Sequence, residues 1–160
     1  MKTAKRIHFV SLGCPKNRVD SEVMVGVAQD RGFVPTDDAE AAEVIVINTC
    51  GFIEAAKRES IETILELSQL KQSGACQKLV VTGCLSQRYS GDLAADLPEV
   101  DHFLGSSDML NLGAVLTRRD APRVLSVRGS LARITQSAGL PTHTRGASRR
   151  ACGWAIRRTG

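Results

Sequence analysis

A thiolate is a soft metal ligand and a strong nucleophile, so the five cysteines, Cys14, Cys50, Cys76, Cys84 and Cys152, are the residues best equipped for chemistry. Three of them share one setting. Ile7-His8-Phe9-Val10 runs into Ser11-Leu12-Gly13-Cys14-Pro15-Lys16-Asn17. Val44-Ile45-Val46-Ile47 runs into Asn48-Thr49-Cys50-Gly51, and Leu79-Val80-Val81 into Thr82-Gly83-Cys84. Each is a short apolar run, rich in β-branched residues, that ends within a few positions in a cysteine beside a glycine. Cys76 follows Ser73-Gly74-Ala75 and Cys152 stands in the Arg-rich end, so neither repeats the pattern; both read as ordinary core or incidental thiols. An odd cysteine count fits reduced, metal-binding or catalytic cysteines better than a disulfide framework. No Ser/His/Asp set or isolated carboxylate pair suggests hydrolysis, and the glycines form neither a GxGxxG nor a Walker loop.

The elements that would carry these cysteines alternate along the chain. Strands are expected at 6–11, 44–48, 78–82 and 100–104, with a short edge segment at 33–35 held to the edge by Pro35. Between them the apolar spacing predicts helices at 18–31, 53–72, 85–97 and 108–118. Asn17 reads as the N-cap of the first, with Val19, Val23, Val27 and Met24 as its apolar positions and Gly32 as its stop. The second draws its stripe from Ile53, Ala56, Ile61, Ile64, Leu65 and Leu67. The third is expected to be irregular at Ser90-Gly91 and to stop at Pro98, and Ser106 or Ser107 would cap the last. This alternation predicts an α/β fold, a mostly parallel sheet with helices on both faces.

In such a sheet every strand-to-helix turn lies on the carboxyl edge, where ligands of open α/β folds bind. Neighbouring strands are about 4.8 Å apart. Cys14, Cys50 and Cys84 would therefore meet over three adjacent strands, with Gly13, Gly51 and Gly83 permitting close backbone approach. Structural zinc takes four protein ligands, whereas three cysteines converge here; His8 and His102 lie inside strands. A 4Fe-4S cluster on three cysteines leaves one iron open for an outside ligand, which suits chemistry. Beside these ligands, Lys16 and Asn17 could orient a substrate or a sulfur species, and Asn48 and Thr49 could hydrogen-bond the Cys50 turn. Their plain readings are a solvated lysine, a helix cap and structural polar groups.

No apolar run is of membrane-spanning length, and no cleavable leader pattern follows the basic start, so a cytoplasmic monomer is expected. The net charge of +4 hides a division. Residues 1–113 carry 11 Lys+Arg against 16 Asp+Glu, whereas 114–160 carry ten arginines and Asp120 alone. An Arg-rich end attracts polyanions, and its lack of apolar periodicity predicts an irregular or disordered tail.

The motif Ser11-Leu12-Gly13-Cys14-Pro15-Lys16-Asn17, with Val19-Asp20-Ser21-Glu22, resembles the opening of radical S-adenosylmethionine methylthiotransferases. Asn48-Thr49-Cys50-Gly51-Phe52-Ile53, Thr82-Gly83-Cys84-Leu85, Leu97-Pro98-Glu99-Val100-Asp101 and Phe103-Leu104-Gly105 continue the resemblance, which is densest over 6–105. The Cys-Pro-Lys-Asn and Cys-Gly-Phe-Ile wording is similar to the RimO-type branch, which modifies a small-subunit ribosomal protein on the ribosome or free of it. The tRNA-modifying branch typically reads Gly-Cys-Gln-Met-Asn instead, and a tRNA methylthiotransferase fragment is the catalytic alternative.

The resemblance implies a flavodoxin-like domain binding an auxiliary 4Fe-4S cluster through Cys14, Cys50 and Cys84. The activity it implies is transfer of a methylthio group to an aspartate. The family's radical domain holds a second 4Fe-4S cluster through CxxxCxxC and cleaves S-adenosylmethionine. Past Thr144 this sequence has only Cys152 and no such motif. The expected organisation is a cluster-binding domain at 1–118, a linker toward a missing radical domain at 119–144 and an aberrant tail at 145–160. This chain alone is not expected to bind S-adenosylmethionine or the second cluster, or to be active. The other function class is a non-catalytic iron–sulfur or zinc-binding module.

Overall fold

The computed structural model describes residues 4–118 and 121–125. Six strands, β1 (Arg6–Ser11), β2 (Val34–Pro35), β3 (Val44–Thr49), β4 (Lys78–Gly83), β5 (His102–Leu104) and β6 (Val124–Leu125), form one sheet in the order β2-β1-β3-β4-β5-β6. Every pairing is parallel. The strand order reverses at β1, which places the switch point between β1 and β3, the flavodoxin-like arrangement of a doubly wound sheet.

Helices cover both faces, as the alternation predicts. On one face α2 (Glu54–Ser68), the single turn α3 (Leu70–Ser73) and α4 (Cys84–Asp96) pack on Ile45, Ile47, Leu79, Val81 and Phe103. On the other, α1 (Pro15–Asp30) and α5 (Leu112–Thr117) pack on Ile7, Val44, Val46, Val80 and Leu104. Because β3 is covered on both sides, all six of its residues are buried.

Several expectations are corrected. Asn17 is not the cap of α1: Cys14 holds the N-cap position in extended backbone, Pro15 is at the start of the helix, and Asn17 is buried inside the first turn. The inward face of α1 is Asn17, Ser21, Met24 and Ala28, while Val19 and Val23 face solvent. Likewise α2 buries Ala56, Ser60, Ile64 and Ser68 and exposes Ile53, Ile61 and Leu65. In both helices small and hydroxyl residues share the inward face with one larger side chain, Met24 or Ile64, and the bulkier branched residues turn outward. The irregularity in α4 falls at Tyr89 (φ −125°, ψ 20°), one residue before Ser90-Gly91. The last helix divides into a 3₁₀ segment, Ser106–Asn111, and α5. β6 lies within 119–144, where a linker was expected, and extends the sheet beside β5. The remainder of that stretch, the Arg-rich tail at 145–160 and Cys152 lie outside the described residues.

Candidate metal centre

Strand register decides where the three cysteines stand. Thr49 is paired with Gly83, so the next residue of each strand, Cys50 and Cys84, leaves the sheet at one level. Ser11 is paired with Asn48 and Leu12 N–H donates to Asn48 O at 2.9 Å, which carries the β1 ladder one step further. Gly13 is thereby brought level with Cys50, and Cys14 stands one residue beyond.

The glycines show how closely the turns approach. A Cβ on Gly13 would overlap the Cβ of Cys50 and lie 2.8 Å from its Sγ. On Gly51 it would lie 2.9 Å from the Cα of Leu85 and 3.3 Å from the carbonyl carbon of Cys84. On Gly83 it would overlap the carbonyl oxygen of Thr49 and lie 2.6 Å from Asn48 Oδ1. Gly13 (φ +86°) and Gly83 (φ +104°) also occupy backbone that side chains resist. Each cysteine-bearing turn thus rests directly on the backbone or side chain of the next.

Beneath the turns is a buried hydrogen-bond set. Asn17 Nδ2 donates to Leu12 O (2.8 Å) and Thr49 O (3.1 Å), tying the first turn to the second. Asn48 Nδ2 donates back to Asn17 O (2.8 Å) and to Ser21 Oγ (3.1 Å). Thr49 Oγ1 donates to Thr82 O (2.6 Å), tying the second turn to the third, and Ser60 Oγ donates to Cys50 O (3.1 Å). Asn17, Asn48 and Thr49 are almost completely buried, so they hold the turns from below rather than face a ligand. Ser21 and Ser60 carry no role in the sequence reading. The signal that could have found them is a serine at i+4 steps within a buried helical face, Asn17-Ser21 and Ala56-Ser60-Ile64.

The thiols grade from exposed Cys14 through half-buried Cys84 to buried Cys50. Cys14 caps α1 and Cys84 opens α4, so two of the three turns present the positive end of a helix, which complements negative charge. Lys16 Nζ lies 2.7 Å from Asp20 Oδ2. That hydrogen bond raises the Lys16 pKa, and the nearby Cys84 and Cys14 sulfurs add to the effect. An exposed hollow of about 410 Å³ beside Cys14 is lined by Ser11, Gly13, Pro15 and Arg18 as well. Cys76 stands apart, buried, with its Sγ 3.5 Å from Lys78 O. His8 and His102 bond the Thr36 and Pro122 carbonyls.

As the side chains stand, no three His, Cys, Asp or Glu among the described residues form a group that could hold a metal ion. The fit to an iron–sulfur group is therefore one of backbone and donor chemistry: three soft thiols, on three adjacent turns packed glycine to cysteine, at two helix N-termini.

Residues 6–105 match the family described as uncharacterized protein family UPF0004. The chain is 64% identical over 123 residues to the ribosomal protein uS12 methylthiotransferase RimO of Sorangium cellulosum (strain So ce56), an alignment covering 77% of this chain and 25% of that protein. It is 54% identical over 121 residues to the protein of the same name from Myxococcus xanthus (strain DK1622), covering 76% and 25%. With that of Anaeromyxobacter sp. (strain K) it is 52% identical over 122 residues, covering 76% and 26%. The chain spans about a quarter of the length of these relatives.

Proposed function

Because the chain belongs to uncharacterized protein family UPF0004 and is homologous to RimO-type ribosomal protein methylthiotransferases, we propose that it is the cluster-holding, N-terminal part of such an enzyme. The substrate of the complete enzyme is an aspartate of ribosomal protein uS12, and the product carries a methylthio group. Cys14, Cys50 and Cys84 would hold an auxiliary 4Fe-4S group, which would supply the sulfur for transfer. The observation that carries this reading is the interlock of three glycine–cysteine turns on adjacent parallel strands.

This chain's own residues have distinct parts in it. The Asn17–Asn48–Thr49 set fixes the three turns relative to one another before any metal arrives. Gly13 and Gly83 remove the side chains that would separate them. Lys16, exposed beside Cys14 and paired with Asp20, would place a cation at the cysteine edge that could orient the substrate or a sulfur species. S-adenosylmethionine and a second cluster belong to the radical domain of the complete enzyme. The described residues contain no helix long and apolar enough to cross a membrane.

Anaerobic reconstitution of the full chain tests this. The expected result is a brown, oxygen-sensitive protein with about four irons per chain. Cys14→Ala, Cys50→Ala and Cys84→Ala each lose the iron, and Cys76→Ala keeps it. Equal iron in all four variants overturns the ligand assignment. Stoichiometric zinc without iron–sulfur absorption would instead mark a non-catalytic module. Mass analysis of uS12 and of tRNA from a deletion strain identifies the acceptor: a missing methylthio group on tRNA alone would reassign the substrate.

A further inference from the structure

The opposite, amino-terminal edge of the sheet carries a cavity of about 240 Å³ that the cysteine turns leave unexplained. Its rim includes Lys5, Lys78 and Arg118, and its floor Phe33, Val44 and Leu116. No carboxylate lines it. Among the described residues none of the three cations forms an ion pair. Lys78 Nζ donates to Val115 O at 2.7 Å and reaches Arg118 O at 3.5 Å, at the end of α5. This leaves a third N–H for another acceptor. Lys5 Nζ donates to Gln77 Oε1 at 3.2 Å. Burial lowers the Lys78 pKa; Asp101, off the cavity wall, opposes this, and the like charge of Lys5 lowers it by a smaller amount. A cavity lined by three basic residues and no carboxylate, with an N–H of Lys78 left over, can accept an anion. Three basic residues on one cavity wall suit the non-bridging oxygens of a phosphate, and the apolar lining suits an organic group attached to it.

We infer that this cavity binds a phosphate ester, with Lys5, Lys78 and Arg118 on the phosphate and Phe33, Val44 and Leu116 against the attached group. A free nucleotide and an RNA strand both offer that chemistry. The site is independent of the cysteine edge, and its test is independent of iron.

The full 160-residue chain is titrated with 5′-AMP, with adenosine and with a short single-stranded RNA, while backbone amide shifts are followed by NMR. The Gln77 and Thr117 amides, both on the cavity wall, shift with AMP and not with adenosine. Lys5→Glu, a change at an exposed residue, weakens AMP binding at least tenfold and leaves the melting temperature unchanged. Lys78→Met weakens it similarly. Tighter RNA binding through the same amides, with a smaller salt dependence in Lys5→Glu, identifies a strand as the source; RNA no tighter than AMP identifies a free nucleotide. Comparing variants in one chain cancels any attraction of RNA to the Arg-rich end. If those amides stay unmoved up to tens of millimolar AMP, or both variants bind AMP like the parent, the inference fails.

Discussion

Gly13→Ala and Gly32→Ala change two glycines of nearly identical backbone, φ +86° and +83°, in very different surroundings. The conformational cost of a side chain at such a φ is about 1 kcal/mol at either site. Nothing lies within 4 Å of the Cβ that alanine would add at Gly32, so that strain is its whole cost. At Gly13 the new Cβ would overlap Cys50 Cβ and stand 2.8 Å from Cys50 Sγ, against an optimal carbon contact of about 3.5–4.0 Å. The first turn must then retreat from the second, and overpacking of this kind adds about 1–3 kcal/mol. The expected totals are about 1 kcal/mol for Gly32→Ala and about 2–4 kcal/mol for Gly13→Ala. In a domain of this size each kcal/mol lowers Tm by roughly 3–5 °C. Thermal unfolding of the metal-free chain, followed by circular dichroism, measures both, and iron content after anaerobic reconstitution is read on the same samples. Gly13→Ala should melt well below Gly32→Ala and retain little iron, while Gly32→Ala loads fully. Equal melting and equal iron would refute the claim that the first turn is seated on Cys50.

Other expectations follow from single contacts. Asn48→Ala removes both donors of a side chain only 2% exposed and leaves Asn17 O and Ser21 Oγ with the bond they make to each other. It should lower stability by about 1–3 kcal/mol in urea unfolding, and a change below about 0.5 kcal/mol would show the amide to be dispensable. Burial depresses the pKa of His102 below 6.5, its neutral ring packing beside Pro122 O. The unfolded chain therefore takes up that proton first. Stability should hold above about pH 6.5 and decline as the pH falls through the lower folded value. His102→Gln should flatten that limb of the stability–pH curve, and an unchanged limb would assign it to other groups. Burial also pushes the Cys76 thiol up from its ordinary value, whereas Cys14 is exposed. Peptide mapping after a timed iodoacetamide pulse at neutral pH should find Cys14 labelled well before Cys76; simultaneous labelling would contradict the packing of the latter.

The fold class was legible because parallel strands buried on both faces read as unbroken apolar runs, as in Val44–Ile47, and because turns and helices alternate with them. The edge position of Pro35 followed from its missing N–H. Helix faces were read less well. Val19, Val23, Ile61 and Leu65 look like core by hydrophobicity, yet Ser21 and Ser60 take the inward positions. At these positions the hydrogen bonds of Ser21 with Asn17 and Asn48, and of Ser60 with Cys50 O, take the place of a larger buried side chain. Asn17 shows the same limit: its type suits a cap, but Pro15 needs no N–H donor and starts the helix earlier. β6 was invisible because two residues, Val124-Leu125, gain strand character only from β5 beside them. For the cysteines, adjacency of their turns could be read from order alone. The glycine-to-cysteine contacts needed the register, which depends on the length of each turn.

The register has a consequence for the order of events in the life of the chain. A pair of cysteines two residues apart can seize a metal on an unfolded polypeptide. Cys14, Cys50 and Cys84 come from three separate βα units and adjoin only when β1, β3 and β4 are already paired. With the three cysteines as ligands, no single βα unit would supply more than one of them, and loading would wait for the sheet. On the proposed assignment, iron and sulfide would reach these cysteines only after β1, β3 and β4 have paired in this register. If the three cysteines are the ligands, loading would report on topology: chains that accept metal would be chains that have folded.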